Sequence, residues 1–180
     1  MSSVPQTAAP GRRTPVDGRV LRTVCGNFAT GVTVITSGRA DGEGAGTTVN
    51  SFASVSLDPP LVLVCLHENS RLLPVVRDSG GFVVNLLARQ QEPVAWAFAG
   101  RRTARLEEVP HTRTGGGLPV LQGALAHLEC RLSAQYEGGD HTILLGEVVG
   151  LAAPAADVDP LIFYRGAMRG LGEPSVPGTA

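Results

Sequence analysis

The run "AHLECRLSAQYEGGDHTILLGEVV", residues 126–149, decides the fold. Ala126, Leu128, Cys130, Leu132, Ala134 and Tyr136 alternate with His127, Glu129, Arg131, Ser133 and Gln135. Side chains along a strand point to opposite faces at each step, so this period of two predicts a half-buried antiparallel strand. The "EGGD" that follows, residues 137–140, is a turn, and a second strand-like run, Thr142 to Val149, starts directly behind His141. Two strands joined this tightly pair as a hairpin, which points to an antiparallel sheet.

The rest of the chain reads outward from that hairpin. "TGVTVITS" (30–37) alternates β-branched residues and predicts a strand, "DGEGAG" (41–46) a turn, and "TTVNSFASVS" (47–56) a second strand rich in hydroxyls. "DPP" (58–60) breaks that strand, because proline cannot continue a ladder. "LVLVCL" (61–66) and "FVVNLL" (82–87) are apolar runs typical of buried strands, and "PLIFYRG" (160–166) is a last short one. Val16, Val20, Val24 and Phe28, widened by Leu21 and Cys25, predict an amphipathic helix over 16–28. "ENSRLLPVVRDSGG" (68–81) predicts a short helix opened by Asn69 or Ser70 and closed by glycine, and "ARQQEPVAWAFAG" (88–100) a helix with Pro93 near its start. Residues 101–124 show no sustained period and read as a long surface loop. The sum is roughly seven strands and three helices, too few crossovers for a doubly wound sheet. The expectation is a mainly β chain with peripheral helices, a small antiparallel barrel. One domain over 16–170 lies between disordered tails, 1–15 and 171–180.

Composition excludes several classes. With 43% hydrophobic residues and 17% charged ones, 180 residues suffice for one packed core. The formal net charge is −1 and no basic run stands out, so nucleic acid is a poor partner. No window of about twenty apolar residues exists to span a membrane as a helix, and the N-terminus lacks the apolar core of a signal peptide. Cys25, Cys65 and Cys130 are dispersed among apolar neighbours and read as buried free thiols of a reducing cytoplasm. No Cys-x-x-Cys spacing or helical His pair suggests a metal, and neither glycine-rich nucleotide fingerprint occurs.

Three features could carry chemistry, each with a plainer alternative. Thr47, Thr48, Asn50, Ser51, Ser54 and Ser56 either meet water along an edge strand or line a polar ligand. Asn69, Ser70 and Arg71 either cap a helix or offer an anion site. His141 behind its turn is either a surface residue or a catalytic one, and Asp140 beside it need not contact it, since neighbours on a strand point to opposite faces.

Taken together, "FATGVTVIT", "TVNSFASVSLDPPLVLVCL", "GFVVNLL", "AFAG", "LQGALAHLEC" and "YEGGDHTILLGEV" resemble, in order and spacing, the flavin reductase-like proteins with an FMN-binding split barrel. More narrowly, the chain resembles the small reductase components of two-component flavin-dependent monooxygenases, over about residues 18–170. The resemblance implies an NAD(P)H:flavin oxidoreductase that passes hydride from NADH or NADPH to FMN or FAD. It also implies a homodimer, and a partner monooxygenase supplied by diffusing reduced flavin. By the same match, Thr47, Asn50, Ser51, Phe52 and Ala53 meet the flavin ring, and Thr30 and Ser56 frame it. Asn69, Ser70 and Arg71 take the flavin phosphate, Phe98 lies near the cofactor, and His141 meets the nicotinamide. Tyr164 and Arg165 are secondary candidates. Two positions depart from the family pattern: Glu68 and Ala97 stand where basic residues are common. The alternatives are a split-barrel protein that binds flavin or haem without turnover, and an oxidase of the pyridoxamine-phosphate type.

Overall fold

The computed structural model describes residues 15–39, 44–100, 104–153 and 158–171. Apart from Pro15 and Leu171, both expected tails lie outside the described residues. The elements run α1 (Gly18–Cys25), β1 (Thr30–Gly31), β2 (Thr33–Gly38), β3 (Gly44–Val49), β4 (Ala53–Leu57) and β5 (Pro60–His67). They continue with α2 (Leu72–Ser79), β6 (Gly81–Leu86), α3 (Glu92–Phe98), β7 (His111–Arg113) and β8 (Pro119–Leu121). Last come β9 (Ala126–Gly138), β10 (His141–Ala152), β11 (Ile162–Tyr164) and β12 (Ala167–Arg169). The architecture is mainly β and antiparallel, as expected.

Seven strands form the main sheet in the order β3-β2-β6-β9-β10-β5-β4. The hydroxyl-rich run 47–56, expected as one strand, is divided between its two edges: β3 pairs with β2, and β4 with β5. This division closes the barrel. A flat sheet of seven strands would hold its edges about 29 Å apart, at about 4.8 Å per spacing. Only Asn50, Ser51 and Phe52 join β3 to β4, and they reach at most about 15 Å. The sheet therefore curls until its edges meet. At the seam, the Ser51 hydroxyl accepts from the Cys65 N–H and donates to the Cys65 carbonyl, both at 3.0 Å. One side chain thus stands in for a missing rung.

β2 is buried along its whole length because both its faces are covered. One face joins the core of Ile35, Val64, Leu66, Leu72, Val76, Phe82 and Leu144, with α2 packed into it. The other meets Val32, Val34, Leu87, Ala95, Phe98, Leu106, Leu121 and Leu161, where α3 packs. Proline sits in the first turn of α3, as its sequence predicts, where its missing N–H costs nothing.

Several expectations need correction. The described residues hold twelve strands, not seven, partly because "PLIFYRG" opens a hairpin, β11–β12. Residues 104–124, the described part of the stretch expected as a surface loop, carry the β7–β8 hairpin and bury Leu106, Leu118, Val120 and Leu121. Asn85, fully buried in the apolar run of β6, is the reason. Its amide donates to the Val34 carbonyl and the Thr36 hydroxyl and accepts from the Leu121 N–H, while Thr36 donates to the Pro119 carbonyl. These bonds tie the hairpin to the sheet without needing a hydrophobic period. Helix α1 forms, yet none of its residues is buried, and Val20, Leu21 and Val24 are more than half exposed. The thiols also differ from expectation: Cys25 is exposed and Cys65 half-buried. Only Cys130 is buried, and burial, with the Glu129 charge added, pushes its thiol up to about 12.

Ser51→Ala would leave the Cys65 N–H and carbonyl unpaired at the seam. The expected cost is about 1–3 kcal/mol of unfolding free energy. Urea titration of the two proteins checks it, and equal midpoints would refute the seam's role.

Candidate functional site

His141 is the first residue of β10, and the antiparallel register with β5 sets it opposite His67. Their rings meet edge to face, with centroids 5.3 Å apart. The contact that strand alternation left open is made: Asp140 Oδ1 lies 2.7 Å from His141 Nδ1. Asp140 belongs to the turn rather than the strand, next to Gly139 at φ 74°, so the alternating rule does not reach it. An ionised carboxylate can only accept, so Nδ1 carries a proton; in the neutral form of the ring Nε2 would then present a lone pair. The hydrogen bond from His141, with the charges of His141 and His67 added, holds the Asp140 carboxyl below its ordinary range.

These groups stand at a cavity of about 930 Å³, at the upper end of the usual range for ligand pockets. Its walls come from β3 (Gly46 to Val49), the end of β5, the start of α2, and Arg22 of α1. The lining includes Arg22, His67, Arg71 and His141 and, among the described residues, no carboxylate. Among the described residues β3 is a sheet edge with no strand paired on its outer side, which leaves backbone donors and acceptors for a ligand. An anionic ligand with a polar, hydrogen-bonding edge suits this donor set.

Of the residues singled out from the sequence, the cavity brings together Thr47, Asn69, Ser70, Arg71 and His141. Asn50 instead lines an adjoining apolar cavity of about 230 Å³ with Trp96, Phe163 and Met168, which shares Thr48 and Val49 with the first. Ser51 is committed to the seam, and Phe52 packs on the core. Ala53 starts the exposed β4, and Ser56 donates to the Asp58 carbonyl within its own turn. Phe98 is wholly buried beneath Gly46, whose added Cβ would lie 2.9 Å from its ring. It shapes the cavity floor and cannot itself touch a ligand. The Thr30 hydroxyl is buried with no partner among the described residues. Tyr164 and Arg165 lie outside the large cavity, as do Glu68 and Ala97.

The helix start differs from a simple anion nest. The Asn69 N–H donates to His67 Nδ1 (3.0 Å), that of Ser70 to the His67 carbonyl (2.8 Å), and that of Leu72 to the Ser70 hydroxyl (3.3 Å). The Glu68 N–H donates to the Asp140 carbonyl (3.0 Å). With these amides engaged, the Arg71 guanidinium and the Asn69 side-chain amide are donors in the cavity lining that could meet an anion. His67 and Arg22 were missed from the sequence. His67 meets His141 only through pairing of strands distant in the chain, and Arg22 reads as the polar face of a helix.

The family model described as flavin reductase like domain matches residues 25–172. The reductase subunit HsaB of the flavin-dependent monooxygenase of Rhodococcus jostii (strain RHA1) is 40% identical over 156 residues, covering 87% of this chain and 79% of that protein. The flavin reductase (NADH) of Kitasatospora aureofaciens is 39% identical over 166 residues, covering 91% and 85%. Among solved structures, the NADH:FAD oxidoreductase SgcE6 of Streptomyces globisporus C-1027, in complex with NAD and FAD fragments, is similar with a TM-score of 0.82. It is 39% identical, covering 91% of this chain and all of that one.

A carboxyl held low by a native contact stabilises the fold above its ordinary range and loses that contribution as pH falls through the lowered value. In a carbon-13 NMR titration, the Asp140 midpoint should lie below that of a free aspartate. In His141→Ala it should climb back toward the ordinary value; an unmoved midpoint would mean the contact is absent in solution.

Proposed function

This chain belongs to the flavin reductase-like domain family, and on that premise we propose that it is an NAD(P)H:flavin oxidoreductase. It reduces FMN or FAD for a partner flavin-dependent monooxygenase. The observation that carries this reading is the cavity itself: four basic side chains, no carboxylate among the described lining, and an imidazole held by Asp140 at its mouth. Relatives named as NADH-dependent reductases favour turnover over a binder that merely stores its ligand.

Nicotinamide and flavin carry the hydride chemistry between them, so the chain needs no general base. Its residues bind, orient and exclude water. Arg71, with Asn69 beside it, draws the flavin phosphate to the start of α2. Thr47 and the free edge of β3 offer polar groups to the ring edge, where donors would favour the charge that grows on reduction. His141 is a positioning group for the nicotinamide. With Nδ1–H given to Asp140, its Nε2 accepts from a carboxamide N–H. His67 packs edge-on against the same imidazole and limits its rotation. Glu68 is exposed and is not among the residues that line the cavity.

The protein acts as a homodimer in the cytoplasm. The dimer is supported by apolar surface without cover: the stripe of α1 and, on the sheet edge β4, Val55 and Leu57, the latter 93% exposed. The three free thiols support a reducing compartment. Light scattering should give twice the 18.7 kDa chain mass, and a monomer at micromolar concentration would remove the dimer.

The deciding experiment follows NADH absorbance with and without added FMN or FAD. Oxidation should require flavin and saturate with it; flavin retained without oxidation would favour the binder. His141→Ala should slow hydride transfer about tenfold or more while flavin affinity stays within about threefold, as loss of a positioning group predicts. A collapse of flavin affinity with turnover per bound flavin intact would refute the role given to His141.

A further inference from the structure

Arg22 belongs to two cavities at once. Besides the large one, it lines a cavity of about 480 Å³ whose other walls are Thr23, Gly26, Asn27, Arg165 and Gly166. That second space lies between the end of α1 and the β11–β12 hairpin.

Arg165 occupies an unusual backbone position. It and Gly166 form the two-residue loop between the paired Tyr164 and Ala167, with φ values of 50° and 79°. Two positive φ angles in a two-residue hairpin loop are the mark of a type I′ turn, whose first position favours asparagine, aspartate or glycine. Arg165 is the one non-glycine residue with positive φ among those described. Turn chemistry alone does not select arginine there.

The side chain is also held. Its main-chain N–H donates to the Gly26 carbonyl (2.9 Å), its Nε donates to Asn27 Oδ1 (2.8 Å), and its guanidinium stands 5.2 Å from the centre of the Tyr164 ring. Asn27 is fixed in turn, donating to the Thr23 and Val24 carbonyls. The Gly26 N–H donates to the Arg22 carbonyl and the Phe28 N–H to the Cys25 carbonyl. The carbonyls closing α1 are therefore engaged and are not left to neutralise the arginines. Neither Arg22 nor the terminal nitrogens of Arg165 has a side-chain partner among the described residues, and no described carboxylate lines either cavity. Two guanidinium groups on one space favour an anion between them, and their planar forks suit phosphate oxygens.

We propose that Arg22 and Arg165 form a subsite for the diphosphate of a dinucleotide, continuous with the main cavity. The inference rests on the flavin reductase reading and extends it. A mononucleotide has one phosphate, which Arg71 answers at the start of α2. The Arg22 and Arg165 pair, in a cavity that shares Arg22 with the large one, answers the further phosphate of a dinucleotide. That diphosphate is supplied by FAD or by the nicotinamide dinucleotide, and the test separates the two.

Arg165→Asn places the residue that this turn prefers, and Arg22→Gln keeps a good helix former, so both variants should fold. FMN and FAD affinities are measured by quenching of flavin fluorescence, and the KM for NADH with FMN as acceptor. If FAD supplies the diphosphate, the preference for FAD over FMN falls about tenfold in each variant, the scale of one charge-assisted hydrogen bond. If the nicotinamide dinucleotide supplies it, the KM for NADH rises about tenfold and the flavin preference holds. The proposal is overturned if neither quantity moves beyond about twofold, including the case where FMN and FAD weaken equally. A wild-type protein that oxidises no NADH would defeat the reductase reading, leaving the subsite to be judged by the flavin preference alone.

Discussion

The barrel depends on a single hydroxyl. β3 and β4 are consecutive in the chain yet lie at opposite edges of the sheet, so three residues must span the gap. Ladder bonding cannot bridge that corner, because the backbone there is turning from one edge to the other. Ser51 bridges it instead, meeting both the N–H and the carbonyl of Cys65. With the seam closed, β3 and the end of β5 become neighbours, and the space between them is the large cavity.

The polar interior follows the same logic. Asn85, Thr36, Ser37 and Gln91 are buried polar residues, each of which would be costly alone. Each bonds a main-chain group: Asn85 the Val34 carbonyl and the Leu121 N–H, Thr36 the Pro119 carbonyl, Ser37 the Gly81 carbonyl, and Gln91 the Ala88 N–H and the Gln122 carbonyl. Such bonds fix the irregular connections as firmly as ladders fix the strands. The hairpin β7–β8 is held in this way, with Val120 and Leu118 packed on Val83.

Much of this was legible in the sequence where one physical rule dominates. The alternation of 126–136 marked β9, and the apolar runs marked β5 and β6, because burial of one or both faces leaves a period or its absence. Thr47, Arg71 and His141 could be linked only through the resemblance to a family, since β3, α2 and β10 meet by tertiary pairing. The divided strand 47–56 was not legible: Asn50, Ser51 and Phe52 include no proline or glycine, and only the sheet's closure bends them. Nor was the core role of 104–124, where Asn85 supplies from another strand what a local period would have shown. The Asp140–His141 contact was hidden because Gly139 takes Asp140 out of the strand.

The bond from the Glu68 N–H to the Asp140 carbonyl joins the loop after β5 to the turn before β10. His67 adds to it, pairing with His141 across the strands while accepting from the Asn69 N–H. The residues before Arg71 and the imidazole at the mouth are thus one mechanical linkage. A shift at one end strains the other, so geometry at Arg71 and at His141 cannot be tuned independently by substitutions in this loop.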